Sequence, residues 1–462
     1  MAEGGSGENG ENGENGENVV ATAAIDARAL EEVVSATAEL IRCDTTNRGG
    51  GDGSERAAAE YVAGQLADAG IAAQLLEKAP GRTNVVARIA GTDPAADALL
   101  VHGHLDVVPA DPAEWRVHPF SGELRDGCVW GRGAIDMKNM DAMVLTLMRA
   151  WARAGVRPRR DVVLAFTADE EDTAEYGARF LAQRHPELFE GCTEGLSESG
   201  AFTFHTDDGL RLYPVGSAER GTAWLRLTAR GTAGHGSKVN RANAVTRLSA
   251  AVLRIGAHEW PVRLTPTVRA ALRRLAALHG VETGDLDAPG FDADALLDKL
   301  GSAATLVRPV LRNSANPTML DAGYKVNVIP GSATAHVDGR MLPGAEDEFV
   351  RTLDALTGDD VSWEFAHREI PLQAPVDSPT YATLCEAVEH FDPGAYAVPY
   401  CMAGGTDAKQ FSRLGIAGYG FSPLRLPPGF DYGALFHGVD ERVPADALHF
   451  GLRVLDRALR AL

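Results

Sequence analysis

Short apolar runs alternate with amphipathic helical patterns in the first half of the chain, and this alternation constrains the fold more than any other feature. Residues 85–89, 99–101 and 162–166 are apolar runs of strand length. Helical spacing between the second and third runs is carried by Met140, Met143, Val144, Leu147 and Trp151. Strands that alternate with helices are typical of a parallel sheet covered by helices. The sequence therefore predicts an α/β fold with a mostly parallel sheet.

The pattern changes in the middle of the chain. Residues 217–371 begin with a run that alternates at period two and continue with a helical pattern, which predicts a smaller α+β domain. Within it, residues 258–312 are rich in Leu, Ala, Arg and Pro and predict a mostly helical insertion. The α/β pattern returns near residue 378, so we expect the smaller domain to be inserted into a larger one formed by residues 20–216 and 372–462.

Composition excludes several functional classes. The net charge of −20 argues against binding to nucleic acid or to an anionic membrane. No apolar run approaches the roughly 20 residues that span a bilayer. Five cysteines without a CxxC pair, together with a start that does not resemble a signal peptide, favour reduced thiols and a cytoplasmic protein. The repeat of Gly, Glu and Asn within residues 1–19 predicts a disordered tail, which we interpret as a solubilising or cloning-derived extension rather than a binding motif.

Polar residues that could bind metal follow the predicted strands. His104 ends the run LLVHGH, and Asp106 lies two residues further on, at the carboxyl end where open α/β sheets bind ligands. A nearby carboxylate often accepts the second N–H of a metal-bound imidazole. Asp136 stands just before a helix, where an ordinary role would be that of an N-cap. Taken singly, each residue is compatible with a structural role.

Further acidic and imidazole side chains occur in similar positions. Glu170 and Glu171 follow the strand VVLAF without a neighbouring Lys or Arg, so they need solvent or a cation. Glu198 and His437 lie in short polar interruptions between apolar segments and could be surface residues. As a set, these imidazole and carboxylate groups suit divalent zinc, cobalt or manganese.

The segments HGHLDVVP, GRGAIDMKN, TADEE, SESG and FHGVDE occur in the order found in a known family. In these motifs the chain resembles the co-catalytic di-zinc metallopeptidases that include aminoacylase, acetylornithine deacetylase, succinyl-diaminopimelate desuccinylase and the glutamate- and yeast-type carboxypeptidases. The resemblance extends over residues 26–462. It implies a catalytic domain with an inserted ferredoxin-like domain that acts as a lid or in dimerisation.

The resemblance also implies roles for the residues in these motifs. Asp136 would bridge two metal ions, His104 and Glu198 would complete one site, and Glu171 and His437 would complete the other. Two further roles follow for residues that do not bind metal. Glu170 would act as general acid and base, and Asp106 would orient the first histidine.

Other matching segments imply substrate contacts. His235, in GTAGHGSKVNRANAV, would stabilise the oxyanion, and in dimeric relatives this histidine reaches the active site of the partner. Asn327 and Arg340 would contact the carbonyl and the carboxylate of the substrate, since the guanidinium fork suits a carboxylate. The segment AGGTDAKQF resembles the loop that approaches the substrate carboxylate, with donors from Gly404, Gly405 and Thr406.

The chain departs from the family in two ways. The acidic segment that often reads EGG reads ESG here, which bears on Glu198 as a ligand. The insertion at residues 258–312 fits the larger aminoacylase-like and carboxypeptidase-like members better than the compact biosynthetic ones.

The resulting hypothesis is a cytoplasmic, homodimeric di-metal hydrolase with zinc as the expected metal and no nucleic-acid or membrane partner. It would cleave an amide bond next to a free carboxylate and release an amino acid from an N-acyl amino acid or a short peptide. The alternatives are a dipeptidase of the same family, which must also bind a free ammonium group, and a non-catalytic member that binds metal or ligand.

Overall fold

The structure is a computed structural model that describes residues 25–462, and the predicted tail at residues 1–19 lies outside the described residues. The helices of the described chain are α1 Ala27–Arg42, α2 Arg56–Asp68, α3 Lys138–Ala154, α4 Ala178–Arg184, α5 Ala244–Gly256, α6 Pro266–Leu278, α7 Ala293–Asp298, α8 Glu346–Thr357, α9 Pro379–Phe391, α10 Ala408–Phe411, α11 Tyr432–Leu435 and α12 Ala445–Ala461. The strands are β1 Ala73–Glu77, β2 Thr83–Ile89, β3 Ala98–His104, β4 Glu123–Arg125, β5 Cys128–Trp130, β6 Val162–Thr167, β7 Cys192–Ser197, β8 Phe204–His205, β9 Arg211–Glu219, β10 Gly221–Arg230, β11 Gly234–His235, β12 Ser314–Ala322, β13 Val328–Ile329, β14 Ser332–Met341, β15 Val361–Glu369, β16 Leu372–Gln373, β17 Tyr396–Met402, β18 Ala417–Gly420 and β19 Arg442–Pro444.

The larger sheet has the strand order β1-β2-β6-β3-β7-β18-β9-β16, with β8 and β17 also paired to β9. The pairs β3/β6, β3/β7, β7/β18 and β9/β17 are parallel, and β1 and β2 extend one end of the sheet in antiparallel fashion. The predicted α/β class with a mostly parallel sheet is confirmed.

Helices cover both faces of this sheet because its central strands are apolar on both sides. In β6, Leu164 and Phe166 belong to the core that also contains residues of α1, α3, α9 and α12. The alternate residues Val163 and Ala165 pack with Phe411 of α10 in a second core. The continuous apolar run therefore reflects a strand that is buried on both faces.

The smaller sheet has the order β12-β14-β10-β15, and all of its pairs are antiparallel. Along the chain its elements follow the sequence β10, α5, β12, β14, α8 and β15, which is the connectivity of a ferredoxin-like fold. In β10, Leu225 and Leu227 are buried against α5 and α8, whereas Trp224 and Arg226 are exposed. This alternation is the period-two pattern of the sequence.

The helical insertion at residues 258–312 lies between strands of the smaller sheet in sequence but packs against the larger sheet. It contains α6, α7 and two short 3-10 helices. Leu272 and Leu275 of α6 form one core with Leu212 and Val398 of the larger sheet. The insertion therefore leaves the smaller sheet and covers a face of the larger one, because the apolar stripe of α6 needs a surface to bury it.

All five cysteines lie in the described chain and are free; two of them are buried and three are partly buried. Among the helices of residues 25–462, none is long and apolar enough to cross a bilayer.

Candidate metal centre and substrate cleft

Neighbouring parallel strands end at one edge of the larger sheet, and predicted site residues follow them. His104, the last residue of β3, pairs in register with Thr167, the last residue of β6. On the other side of β3, β7 ends one residue before Glu198. Ligand atoms of His104, Glu170 and Glu198 consequently lie within 4.8 Å of one another. The parallel register thus brings together residues that are far apart in sequence.

Asp136 lies between the two predicted histidine ligands. Its Oδ1 is 3.1 Å from His104 Nε2, and its Oδ2 is 3.2 Å from His437 Nε2. His437 Nε2 is also 3.1 Å from Glu171 Oε2. A carboxylate that presents one oxygen to each side has the arrangement of a bridging ligand in a two-metal site. Asp136 therefore faces the histidines with both of its carboxylate oxygens.

The two histidines differ in their surroundings. Burial would lower the pKa of His104, but Asp136 and Glu198 outweigh it and raise this pKa well above its usual value. Bonds to Asp136 and Glu171 raise the pKa of His437 to about 10. The His104 side chain is 1% exposed and that of His437 is 55% exposed, so the cluster opens to solvent on the His437 side.

The carboxylates of the cluster crowd one another. Burial raises the pKa of Glu198 to about 8, and burial followed by Asp136 raises that of Glu171. The pKa of Glu170 is raised by burial and then by the charge of Glu198. Glu171 Oε1 is buried and has no hydrogen-bond partner among the described residues. A divalent cation would relieve this crowding and use the free oxygen, so the donor set fits a metal.

Ser199 stands at the position where the family pattern EGG has its first glycine. Its φ is 66°, in the left-handed region that glycine adopts without steric cost. Its hydroxyl is buried without a hydrogen-bond partner in the described chain. Asp169 and His437 have similar φ values of 65° and 54°. The serine therefore retains the backbone conformation that suits glycine, and Glu198 keeps its place beside His104.

Asp106 contacts the cluster mainly through the backbone of the two glutamates. His104 Nδ1 lies 3.0 Å from the backbone carbonyl of Asp106 and 3.7 Å from its Oδ1. The carboxylate instead accepts the backbone N–H groups of Glu170 and Glu171 at 3.1 and 3.2 Å. It also accepts a bond from Asn47, a residue that sequence reasoning missed. Asp106 thus orients the histidine by its main chain and the glutamates by its side chain.

Glu441 was also missed, although it lies in the FHGVDE segment, four positions after the predicted histidine ligand. It is fully buried and accepts backbone N–H bonds from Gly133, Ile135 and Asp136 at 2.7 to 3.1 Å. Arg132 Nη1 donates to it at 2.7 Å. Glu441 therefore holds the loop that presents the bridging aspartate. An acidic residue inside a recognised motif was the available signal.

A cleft of about 210 Å³ lies beside the cluster and has walls from both sheets. Glu170 and Glu171 line it from the larger sheet, and Thr222 and Arg340 line it from the smaller one. Arg340 Nε and Nη2 bond the Asp338 carboxylate, and its Nη1 donates to Thr222. The predicted carboxylate-binding arginine therefore faces the cleft with its fork already paired.

The loop at residues 404–406 reaches the same cleft. Gly405 and Thr406 line it, and Gly404 is partly exposed. The backbone N–H and the hydroxyl of Thr406 both donate to Glu219, at 3.0 and 2.7 Å. Both donors of Thr406 are thus bonded within the chain, and its contact with the substrate carboxylate stays a prediction.

His235 and Asn327 lie apart from this cleft, on a ribbon formed by β11 and β13. His235 pairs with Val328, and Gly236 N–H donates to the Asn327 carbonyl at 2.9 Å. Both side chains are exposed, and neither is among the described residues that line the cleft. The structure therefore does not bring them to the metal cluster of the same chain, and their roles stay predictions.

The comparison with known families agrees with this geometry. The pattern of peptidase family M20/M25/M40 matches residues 100–461, which is most of the chain. The chain belongs to this family. The resemblance seen in the sequence motifs is confirmed, and this M20 chain is a hydrolase.

Individual proteins that are similar to this chain carry names of the same family or of amide hydrolases. Human aminoacylase-1 is 27% identical over 414 residues, which cover 87% of this chain and 88% of the relative. The human N-fatty-acyl-amino acid synthase/hydrolase PM20D1 is 29% identical over 374 residues, covering 78% of this chain and 73% of the relative. The crystal structure of the M20 family metallo-carboxypeptidase Sso-CP2 from Sulfolobus solfataricus superposes with a TM-score of 0.69 at 17% identity, over 93% of this chain and 98% of that one. The structural match shows that this M20 chain shares the fold.

Proposed function

We propose that this M20 protein hydrolyses the amide bond of an N-acyl amino acid or short peptide with a free carboxylate and releases the amino acid. The observation that carries the proposal is the position of Asp136, with one carboxylate oxygen toward each of two histidines. The names of the relatives aminoacylase-1 and N-fatty-acyl-amino acid synthase/hydrolase support an N-acyl amino acid as the substrate class.

The proposed cofactor is a pair of divalent metal ions, with zinc favoured by the mixed imidazole and carboxylate donors. His104 and Glu198 would hold one ion, Glu171 and His437 the other, and Asp136 both. When bound, the pair supplies Lewis-acid polarisation of the substrate carbonyl and a water of lowered pKa.

The proposed proton carrier is Glu170. Its carboxylate belongs to the cluster with His104 and Glu198, and the same residue lines the cleft. One side chain therefore reaches both the metal centre and the space for the substrate. Glu170 takes a proton from the attacking water and gives it to the leaving nitrogen, so that the amine departs neutral.

A dipeptidase would also need an acidic group for the free ammonium of its substrate. Glu369 lines the cleft from β15, but Arg179, Arg413 and Gln410 of the larger unit already pair with its carboxylate. An N-acyl amino acid carries no ammonium group and makes no such demand. Glu369 is thus already paired, and the other acidic side chains of the cleft outside the cluster are Asp172 and Asp407.

The proposal is tested by an assay of amine release on N-acetyl, N-fatty-acyl and dipeptide substrates. The protein is stripped with chelator and reloaded with zinc, cobalt or manganese. We expect close to two metal ions per chain, loss of hydrolysis on chelation and recovery on reloading. Glu175→Ala is a matched control, since this half-buried carboxylate pairs with Lys78 and Arg179 outside the cluster. Hydrolysis that persists in a protein shown to hold no metal would overturn the proposal.

A further inference from the structure

The cleft beside the metal cluster is lined by three side chains that can carry positive charge, namely Arg340, His367 and Lys409. The fork of Arg340 is paired with Asp338, as described above. The ring of His367 lies near a carboxylate too, since its Nε2 is 4.0 Å from Glu369 Oε1. Lys409 is the one of these three side chains that is not paired with a carboxylate of the described chain.

Lys409 is buried, with 3% of its surface exposed. Its ammonium donates one hydrogen bond, to the backbone carbonyl of Arg220 at 2.8 Å. Among the described residues, no carboxylate lies within 4 Å of this nitrogen. An ammonium group has three donors, and a buried charge without a partner is costly. Two donors thus remain for another group.

Gly405 shows that the chain makes room for this ammonium. A methyl group added at Gly405 would overlap Nζ and Cε of Lys409, and the lysine atoms are its three nearest neighbours. The φ of Gly405 is not positive, so backbone conformation does not require glycine there. The absence of a side chain at Gly405 is therefore explained by the path of the lysine into the cleft.

Within the same loop, Thr406 gives both of its donors to Glu219. We infer that Lys409 binds the free carboxylate of the substrate from within the cleft, while Gly405 keeps its ammonium in place. This inference rests on the proposed function and adds the residue that selects a substrate with a carboxylate. The bound carboxylate supplies the partner that the buried ammonium lacks.

The test compares N-acyl leucine with its carboxamide, each with acetyl and dodecanoyl groups, because the carboxamide has nearly the same size but lacks the charge and has an NH2 group in place of one oxygen. Lys409→Met removes the ammonium and keeps the length of the side chain. We expect it to lower kcat/KM for the acid by about 10- to 100-fold, mainly through KM, and to leave the carboxamide nearly unchanged. Lys409→Arg should retain part of the preference for the acid. An equal loss of kcat/KM for acid and carboxamide would overturn the inference, because Lys409 would then act only through its bond to Arg220.

A coupled variant tests the role of Gly405. Gly405→Ala should reduce the preference for the acid by displacing Lys409, whereas the same change in a Lys409→Ala background should have little further effect, since the overlapping atoms are gone. Additive losses in the double variant would contradict the proposed clearance.

Binding separates this inference from the proposed function. Calorimetry with Glu170→Gln protein, which should bind without turnover, measures the affinity for acid and carboxamide with and without Lys409→Met. A preference for the acid that depends on Lys409 supports the inference even if the wild-type protein hydrolyses none of the compounds, in which case only the proposed function fails. Equal affinities for acid and carboxamide in protein that retains Lys409 would overturn the inference.

Discussion

The metal cluster and the ribbon of β11 and β13 carry two halves of the predicted active site, and they differ in burial and in bonding. The cluster is built at one edge of a buried sheet, where His104 is almost fully covered and bonded to a carboxylate. The ribbon is exposed, and the ring of His235 bonds to Ser237 within its own turn. The candidate metal ligands meet within one chain, while the ribbon presents its polar groups to solvent.

The loops that flank the ribbon expose large apolar side chains. Val239, Tyr324 and Val326 are 95%, 84% and 104% exposed. Side chains of this size that stand free near polar functional groups are typical of a surface that meets another molecule. Sheet register, together with the loops that carry Asp136 and His437, brings the candidate ligands together within one chain. The predicted substrate contacts on the ribbon would need a surface from another molecule. A second copy of the chain is the predicted source of that surface.

The largest effect is expected inside the cluster, from its two adjacent glutamates. Glu170→Gln should lower kcat by at least about 10²–10⁴-fold with metal content nearly unchanged, because it removes the general base. Glu171→Ala should lose metal, because the oxygen that faces His437 disappears. Metal analysis and turnover are measured on both variants. If the two variants give the same result in both assays, the predicted separation of proton transfer by Glu170 from metal binding by Glu171 is wrong.

The next effect concerns the ribbon. His235→Ala should lower the rate by about 10²–10³-fold if the imidazole donates to the oxyanion. Mixing it with Glu170→Ala protein should then restore up to about half of the activity of a wild-type dimer in each mixed dimer, since one site has both residues intact. Mixing His235→Ala with a chain that carries both changes is the matched control and should restore nothing. A monomer by light scattering, or no recovery after verified exchange, would rule out action in trans.

A smaller effect is expected at Asp106, which bonds the backbone of Glu170 and Glu171. Asp106→Asn should reduce metal affinity or activity by about 10–100-fold, because an amide cannot accept both glutamate N–H groups with two oxygens. Asp446→Asn is the control, since that side chain is 96% exposed at the start of α12. Metal titration and turnover give the result. Wild-type values for Asp106→Asn would show that backbone contacts alone hold the site.

The smallest effect is expected at Ser199. Ser199→Gly should stabilise the protein by about 1 kcal/mol, since it removes both a left-handed serine and a buried hydroxyl without a partner. The equivalent change at Ser197, in β7, should instead destabilise it by about 0.5–1 kcal/mol. Thermal melting of the metal-loaded proteins compares the two. A lower melting temperature for Ser199→Gly would show that the serine is accommodated without strain.

Much of the fold could be predicted from sequence because its causes are local. The apolar runs at residues 85–89 and 162–166 lie within β2 and β6, and the helical stripe from Met140 to Trp151 lies within α3. The alternation in β10 likewise marked an antiparallel strand with one buried face. These patterns follow from the periods of helix and strand, which act over a few residues.

The candidate ligands could be named from sequence, because the motifs HGHLDVVP, GRGAIDMKN, TADEE, SESG and FHGVDE each contain residue types that bind metal. Which of their atoms meet depends on the folded chain. Strand register placed His104 beside Glu198, and a loop held by Glu441 turned Asp136 toward both histidines. The pairing of Thr406 with Glu219, the packing of the insertion on the larger sheet and the clearance between Gly405 and Lys409 are contacts between distant segments or across a turn. Periodicity and composition carry no record of such contacts, since they depend on how the whole chain closes.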